Sequence, residues 1–348
     1  MRRLPIYFLI DVSESMVGDP IQQVQDGIAT IIKELKTDPV ALETVWISII
    51  VFAGEAKTLV PLQDVISFYP PKFPIGSGTS LSKGLGHLMY ELRQNIVKTT
   101  AETKGDWKPI IFLLTDGVPT DNTTKVIQEW NNKWRKSSNL VSISVGNGAD
   151  ISLLSKLSEN VLKLEKTDAN SFKEFIAWVT ASIKTNSENI ESKSSFELTK
   201  TDTENLSAID ITKKDNSVSI DDNFVVLSGL CQNTTKKYLM KYERKIKPSN
   251  FAGIELATKI YKLKGAFLVD ETYTELSDGK KLNLTVNTEE LVGVPTCPSC
   301  GNQTAFAVCQ CGQIHCIGNE EVSTCPSCGN KGHYTSGSGD FDVNRTLG

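Results

Sequence analysis

The chain has 348 residues, 39% of them hydrophobic and 22% charged, with Lys+Arg 37 against Asp+Glu 41 and a net charge of −4. That is an ordinary globular composition at a length suited to two domains or three. It lacks the basic excess of a polyanion-binding chain, and no apolar run reaches the roughly 18 residues of a membrane span. The apolar start Leu4–Ile10 stops at Asp11 without a small-residue cleavage site, so it reads as a strand rather than an export signal, which points to the cytoplasm.

After that strand, Asp19 and Pro20 open a helix as N-cap and first-turn proline, followed by Ile21, Val24, Ile28, Ile31, Ile32 and Leu35 at helical spacing. Val45–Phe52 is a second strand, with Lys57–Val60 beside it. Leu81, Leu85, Leu88, Met89, Leu92 and Ile96 form a helical stripe, and Ile110–Leu114 is a third buried strand. A helix marked by Val126, Ile127, Trp130 and Trp134 precedes the strand Leu140–Val145. The short helix Ile151–Leu157, the strand Val161–Leu164 and a closing helix lined by Phe172, Phe175, Ile176, Val179 and Ile183 follow, with Ser171 and Glu174 as a capping box. Repeated β-α units imply a doubly wound, mostly parallel α/β sheet over residues 1–186. Residues 187–207 read as a polar linker, 208–291 as a small β-rich module, 292–335 as a zinc-knuckle domain and 336–348 as a disordered tail.

Three strand-end loops carry oxygen ligands: Asp11-Val12-Ser13-Glu14-Ser15, Gly76-Ser77-Gly78-Thr79-Ser80 and Thr115-Asp116-Gly117. In an open parallel sheet such loops converge. Hydroxyls from Ser13, Ser15 and Thr79 with the carboxylates of Asp11 and Asp116 suit a hard cation, Mg²⁺ or Mn²⁺, and the low anionic charge leaves it able to take a carboxylate from a partner protein. In this order and spacing the three loops resemble the metal-ion-dependent adhesion site of von Willebrand factor A domains. The resemblance covers about residues 4–184 and implies cation-dependent protein binding.

An enzyme is not expected. Phosphotransferases of the haloacid dehalogenase type place a second Asp where this chain has Ser13, and no nucleophile elbow or phosphate-cradling loop is present. His87 reads as a surface or interface residue.

Of eight cysteines, Cys231 stands alone and reads as a small buried hydrophobe. The others occur as Cys297-Pro-Ser-Cys300-Gly, Cys309-Gln-Cys311-Gly, Cys316 and Cys325-Pro-Ser-Cys328-Gly, a pattern of zinc knuckles. Seven cysteines and His315 would hold two zinc ions. Tracing the strands suggests interleaved sets, Cys297/Cys300/His315/Cys316 and Cys309/Cys311/Cys325/Cys328. His315 is the weak member because its neighbour Cys316 should face the other way, with His333 or water as substitutes. A simple ribbon, both Cys-Pro-Ser-Cys knuckles on one zinc, is the alternative. A basic cluster, Lys236, Lys237, Lys241, Arg244, Lys245 and Lys247 with Tyr238 and Tyr242 interleaved, reads as a solvated strand edge; the alternative is a zinc module that binds nucleic acid or serves a ubiquitin-like pathway.

An A domain followed by a β-module and zinc knuckles resembles the TerY-type family associated with tellurium resistance. That family is typically encoded in bacteria beside a protein kinase and a Ser/Thr phosphatase. The resemblance implies a cytoplasmic adaptor in tellurite-resistance, stress or phosphorylation signalling; composition adds that no membrane partner is expected and that nucleic acid is the less favoured one.

Overall fold

The computed structural model describes residues 2–102, 104–146, 148–164, 169–188, 206–208, 223–251, 254–278, 285–334 and 342–346. Most of the expected linker, 187–207, lies outside these residues, as does the side chain of Ser171 in the expected capping box.

A seven-stranded sheet forms the N-terminal half, built from β1 (Leu4–Asp11), β2 (Val45–Phe52), β3 (Ala56–Asp64), β4 (Ile110–Thr115), β5 (Asn139–Val145), β6 (Asn160–Leu164) and β7 (Leu206–Ala208) in the order β3-β2-β1-β4-β5-β6-β7. The five inner strands run parallel, and β3 and β7 close the edges antiparallel. The inner strands are mostly apolar, β1 and β4 almost continuously so, because both faces are covered. Along β1, Ile6, Phe8 and Ile10 pack on one face with α1 (Asp19–Leu35), α2 (Pro39–Thr44) and α6 (Ala169–Glu188). Tyr7 and Leu9 pack on the other face with α3 (Leu81–Asn95), α4 (Thr124–Lys133) and α5 (Ile151–Leu157).

Two local readings differ from expectation. The N-cap of α1 is Gly18, not Asp19, which is the first helical residue. The short helix α2 was not expected: Asp38 caps it by accepting from the amides of Val40 and Ala41.

The strand order reverses between β1 and β4, since β2 lies on one side of β1 and all later parallel strands on the other. The crevice at this reversal lies at the ends of β1 and β4, where Asp11 and Asp116 sit.

In the C-terminal half, strands from the expected β-rich module and from the expected knuckle domain share one sheet. Strands β8 (Phe224–Leu230), β9 (Lys237–Phe251), β10 (Ile254–Leu268), β12 (Leu291–Val292), β13 (Thr304–Val308) and β14 (Ile314–Ile317) make one sheet, ordered β12-β10-β9-β8-β14-β13. The parallel pairing of β14 with β8 joins the knuckle segment to the β-module. The separate runs Ile260–Leu263 and Ala266–Val269 become one strand because the ladder bulges between Leu263 and Gly265 rather than ending. Between β10 and β12 lie α7 (Thr272–Leu276) and β11 (Thr285–Asn287); β15 (Ser323–Thr324) pairs with β16 (Lys331–Gly332). Part of the expected disordered tail is ordered. Strand β17 (Asp342–Asn344) pairs with β11, and the Thr346 amide donates to the Val226 carbonyl.

The basic cluster is not a strand edge. Strand β9 lies inside the sheet between β8 and β10, and Tyr238, Lys241 and Tyr242 are buried. Among the described residues, no helix is long and apolar enough to cross a membrane.

Candidate metal centres

The three strand-end loops meet at the crevice. Asp11 ends β1; its Oδ1 accepts the Ser13 amide at 2.9 Å and its Oδ2 accepts the Thr115 hydroxyl at 2.6 Å. The Ser13 and Ser15 hydroxyls lie 3.0 Å apart, and Ser15 Oγ donates to Asp116 Oδ1 at 2.7 Å. The second loop is tied to the third: the Thr79 amide donates to Thr120 Oγ1 at 3.1 Å, and the Thr120 amide to the Thr79 carbonyl at 2.9 Å. A Cβ placed on Gly117 would lie 3.5 Å from Thr79 Oγ1 and 3.9 Å from Ser15 Oγ, so these two hydroxyls border one small space. Asp11, Ser13, Ser15, Thr79 and Asp116 are all buried. Burial raises the Asp11 carboxyl to about 6, against hydrogen bonds from Thr115 and Ser13 that pull it down. Two buried carboxylates among three hydroxyls are a donor set whose charge a small divalent cation would offset.

Sequence reasoning named Thr115 only as part of its loop, without a role, and did not single out Thr120 or Asp121. Thr115 orients Asp11, and Asp121 Oδ2 accepts from the Ser82 amide and from the hydroxyls of Ser80 and Ser82, fixing the start of α3 just behind Thr79. Thr115 is the first residue of the Thr-Asp-Gly turn and Thr120 and Asp121 follow it, so position near that turn was their one signal.

Farther along the chain, two sets of four cysteine sulfurs each lie within 4.8 Å of one another: Cys231, Cys297, Cys300 and Cys316, and Cys309, Cys311, Cys325 and Cys328. Sulfur separations are 3.7 Å for Cys300–Cys316, 3.9 Å for Cys316–Cys231, 3.6 Å for Cys309–Cys328 and 3.9 Å for Cys311–Cys325. A tetrahedral zinc with Zn–S near 2.3 Å requires about 3.8 Å between sulfurs. Both tetrads therefore fit a zinc-type ion. Backbone amides reach two of these sulfurs: Gln232 N donates to Cys316 Sγ at 3.2 Å and Thr234 N to Cys231 Sγ at 3.4 Å. The backbone of Cys311 brings the Cys309 thiol down to about 7.

Residues 6–177 match the von Willebrand factor type A domain family, and residues 221–348 match the TerY-C metal binding domain family. The chain is a TerY-type von Willebrand factor A protein. About half of the chain also resembles solved structures. Proximal thread matrix protein 1 of the mussel byssus is 18% identical, with 53% of this chain and 48% of that one covered and a TM-score of 0.40. The pilus adhesin SpaC of Lactobacillus rhamnosus GG is 14% identical, with 53% and 31% covered and a TM-score of 0.44. A von Willebrand factor type A protein of Catenulispora acidiphila is 14% identical, with 51% and 43% covered and a TM-score of 0.38. The aligned part spans about half or less of each of these chains.

In the TerY-C domain one expected ligand changes. His315 is outside the first tetrad and Cys231 is inside it. Successive side chains on β14 point to opposite faces, so Cys316 faces the tetrad and His315 faces away. The His315 ring instead joins the Cys316 carbonyl through Nδ1 at 3.0 Å and the Tyr334 hydroxyl through Nε2 at 2.8 Å, and burial lowers its pKa. His333 is exposed and belongs to neither tetrad. The second tetrad brings together the four cysteines expected.

Cys231 is a knuckle in disguise. In the first knuckle Cys297 N donates to Asn302 O and Gly301 N to Cys297 O; in the last, Cys325 N donates to Asn330 O and Gly329 N to Cys325 O. At Cys231 the same two bonds recur, Cys231 N to Lys236 O and Thr235 N to Cys231 O. Gly301 and Gly329 hold φ of 79° and 74°; Thr235 holds the equivalent place at 56°, the one positive-φ non-glycine among the described residues. Thr234 stands where each knuckle has its second cysteine, so no Cys-x-x-Cys pattern marks the turn.

Proposed function

We propose that this protein is a cation-dependent binding adaptor. Its A domain would hold Mg²⁺ or Mn²⁺ through Ser13, Ser15 and Thr79, with Asp11 and Asp116 supplying charge directly or through bound water, and offer the open coordination position to an Asp or Glu carboxylate of a partner protein. The observation that carries this reading is the hydrogen-bonded run from Ser13 through Ser15 to Asp116, which joins the first and third loops across the strand reversal. Three neutral hydroxyls and few anions leave the cation electrophilic enough to seek an external carboxylate. The TerY-C domain would take two zinc ions, one per tetrad, as structural ions closed by four thiolates each, with no position left for a substrate.

On this reading the protein acts in the cytoplasm without catalysing a reaction, and a protein kinase and a Ser/Thr phosphatase are the partners to test first for a signalling role in tellurite resistance. Calorimetric titration of Mg²⁺ into the wild-type protein and Thr79→Ala tests the site. The proposal expects one magnesium equivalent bound by the wild type and weakened roughly tenfold or more in the variant. Equal binding by both would remove Thr79 from the site. Phosphatase turnover by the purified protein, abolished by Asp11→Asn, would contradict the absence of catalysis.

A further inference from the structure

The loop that carries Ser13 and Ser15 is gripped from outside the A domain. Lys241, on the interior strand β9, is buried; its ammonium donates to the carbonyl of Ser15, 226 residues away, and to that of Val17 at 3.2 Å, and it lies 4.4 Å from the Phe224 ring centre. Tyr273, on α7, donates its hydroxyl to the buried carboxylate of Glu14, 259 residues away. The other oxygen of Glu14 accepts from Ser77 Oγ at 3.2 Å, so this carboxylate links the first loop to the second. Segment 276–277 extends the same grip: the Ser77 amide donates to Ser277 Oγ at 3.0 Å and the Glu55 amide to the Leu276 carbonyl at 2.9 Å. Beneath these bonds Val17 packs with Val226, Leu239 and Tyr273 in a small shared core. Phe267 closes over Gly18, where a Cβ would come within 2.7 Å of the ring.

We propose that the TerY-C domain is a working part of the A-domain cation site, with Lys241 and Tyr273 as positioning residues that set the Ser13–Ser15 loop and its distance to Thr79. The inference rests on the cation-site reading above. Its physical basis is preorganisation. A coordination shell assembled from three separate loops binds tightly only if the loops are already in place, and supporting hydrogen bonds hold them there. A buried ammonium on two backbone carbonyls is a charge-assisted clamp, stronger than a neutral hydrogen bond. Glu14 occupies the spacer between the two serines, so fixing its carboxylate fixes the peptide that carries both hydroxyls. The cation affinity of the A domain is then a property of the whole chain.

The test is Mn²⁺ titration of the full-length, zinc-loaded protein, followed by calorimetry and electron paramagnetic resonance. The variants are Lys241→Met, Tyr273→Phe, the exposed control Lys245→Met, and Thr79→Ala, with zinc content and circular dichroism recorded for each. We expect Lys241→Met to weaken Mn²⁺ roughly tenfold and Tyr273→Phe several-fold, with Lys245→Met unchanged, on the scale of one lost buried hydrogen bond. At saturation the Mn²⁺ spectra of Lys241→Met and Tyr273→Phe should differ from the wild type, because the ligand geometry has shifted; partial unfolding alone would give fewer sites with the wild-type spectrum. Should Lys241→Met not fold, Tyr273→Phe, which loses only a hydroxyl, decides. Wild-type affinity and spectrum in Tyr273→Phe and in folded Lys241→Met would overturn the inference while leaving the cation site intact. Wild-type binding that Thr79→Ala does not change would overturn the cation-site reading, and this inference with it.

Discussion

At the scale of single residues, the convergence of the three oxygen-bearing loops was legible because the pattern is local. Asp11, Ser13 and Ser15 fall within five positions, and Thr79 and Asp116 each stand in a short loop at a strand end. What could not be read was the support behind them. Thr115, Asp121 and Glu14 hold the site through partners fixed only by the fold. Cys231 and His315 make the same point for zinc. A lone cysteine has no spacing to betray it, whereas a histidine beside a cysteine imitates a ligand pair. Metal analysis of purified variants separates the two. Cys231→Ser should fall from about two zinc ions per chain to about one, and His315→Ala should keep two while losing about 1–2 kcal/mol of stability through its broken bond to Tyr334. Two retained zinc ions in Cys231→Ser would return the fourth position to another ligand.

Among the elements, the knuckles carry the most testable geometry. A Cβ on Gly301 would meet nothing within 4 Å, so a substitution there changes only the backbone preference at φ 79°. Gly301→Ala should therefore cost about 1–2 kcal/mol, read as a lower denaturation midpoint of the zinc-loaded protein. Thr235→Gly should act in the opposite sense. It relieves a branched residue held at φ 56° and should raise stability by up to about 1 kcal/mol after the added freedom of the unfolded chain is counted. Equal and same-signed effects at the two positions would refute the equivalence of the Cys231 turn with the knuckles. The inner strands of the A domain were readable from their mostly apolar runs, a pattern that two-sided burial imposes. The short runs of the C-terminal half were harder: the bulge near Gly265 interrupts the pattern of one long strand, and β14 binds β8 across more than eighty residues of chain.

For the whole molecule, the join between the halves was invisible in sequence. Part of it is Lys241, which reads as one of several surface lysines until the sheet encloses it. The two tetrads differ in this context. Cys231, Cys297 and Cys316 belong to the hydrophobic core of the C-terminal unit, whereas Cys311 and Cys328 are exposed. A structural zinc contributes on the order of 10 kcal/mol to folding. Cys297→Ser should therefore loosen the sheet that carries Lys241 and lower cation affinity in the A domain, while Cys325→Ser should leave that affinity near the wild-type value. Mn²⁺ titration of the two variants checks this, and equal affinities would uncouple the zinc core from the adhesion site.

The account stands most directly on carboxylate binding through the cation. Immobilised full-length protein, wild type and Thr79→Ala, is exposed to lysate of the cells that produce it in Mg²⁺, after chelation, and after Mg²⁺ is restored, with bound proteins identified by mass spectrometry. The account predicts a set of partners held by the wild type in Mg²⁺, released on chelation, recovered when Mg²⁺ returns, and absent from Thr79→Ala throughout. The same partners retained on Thr79→Ala, or on the wild type without Mg²⁺, would contradict it.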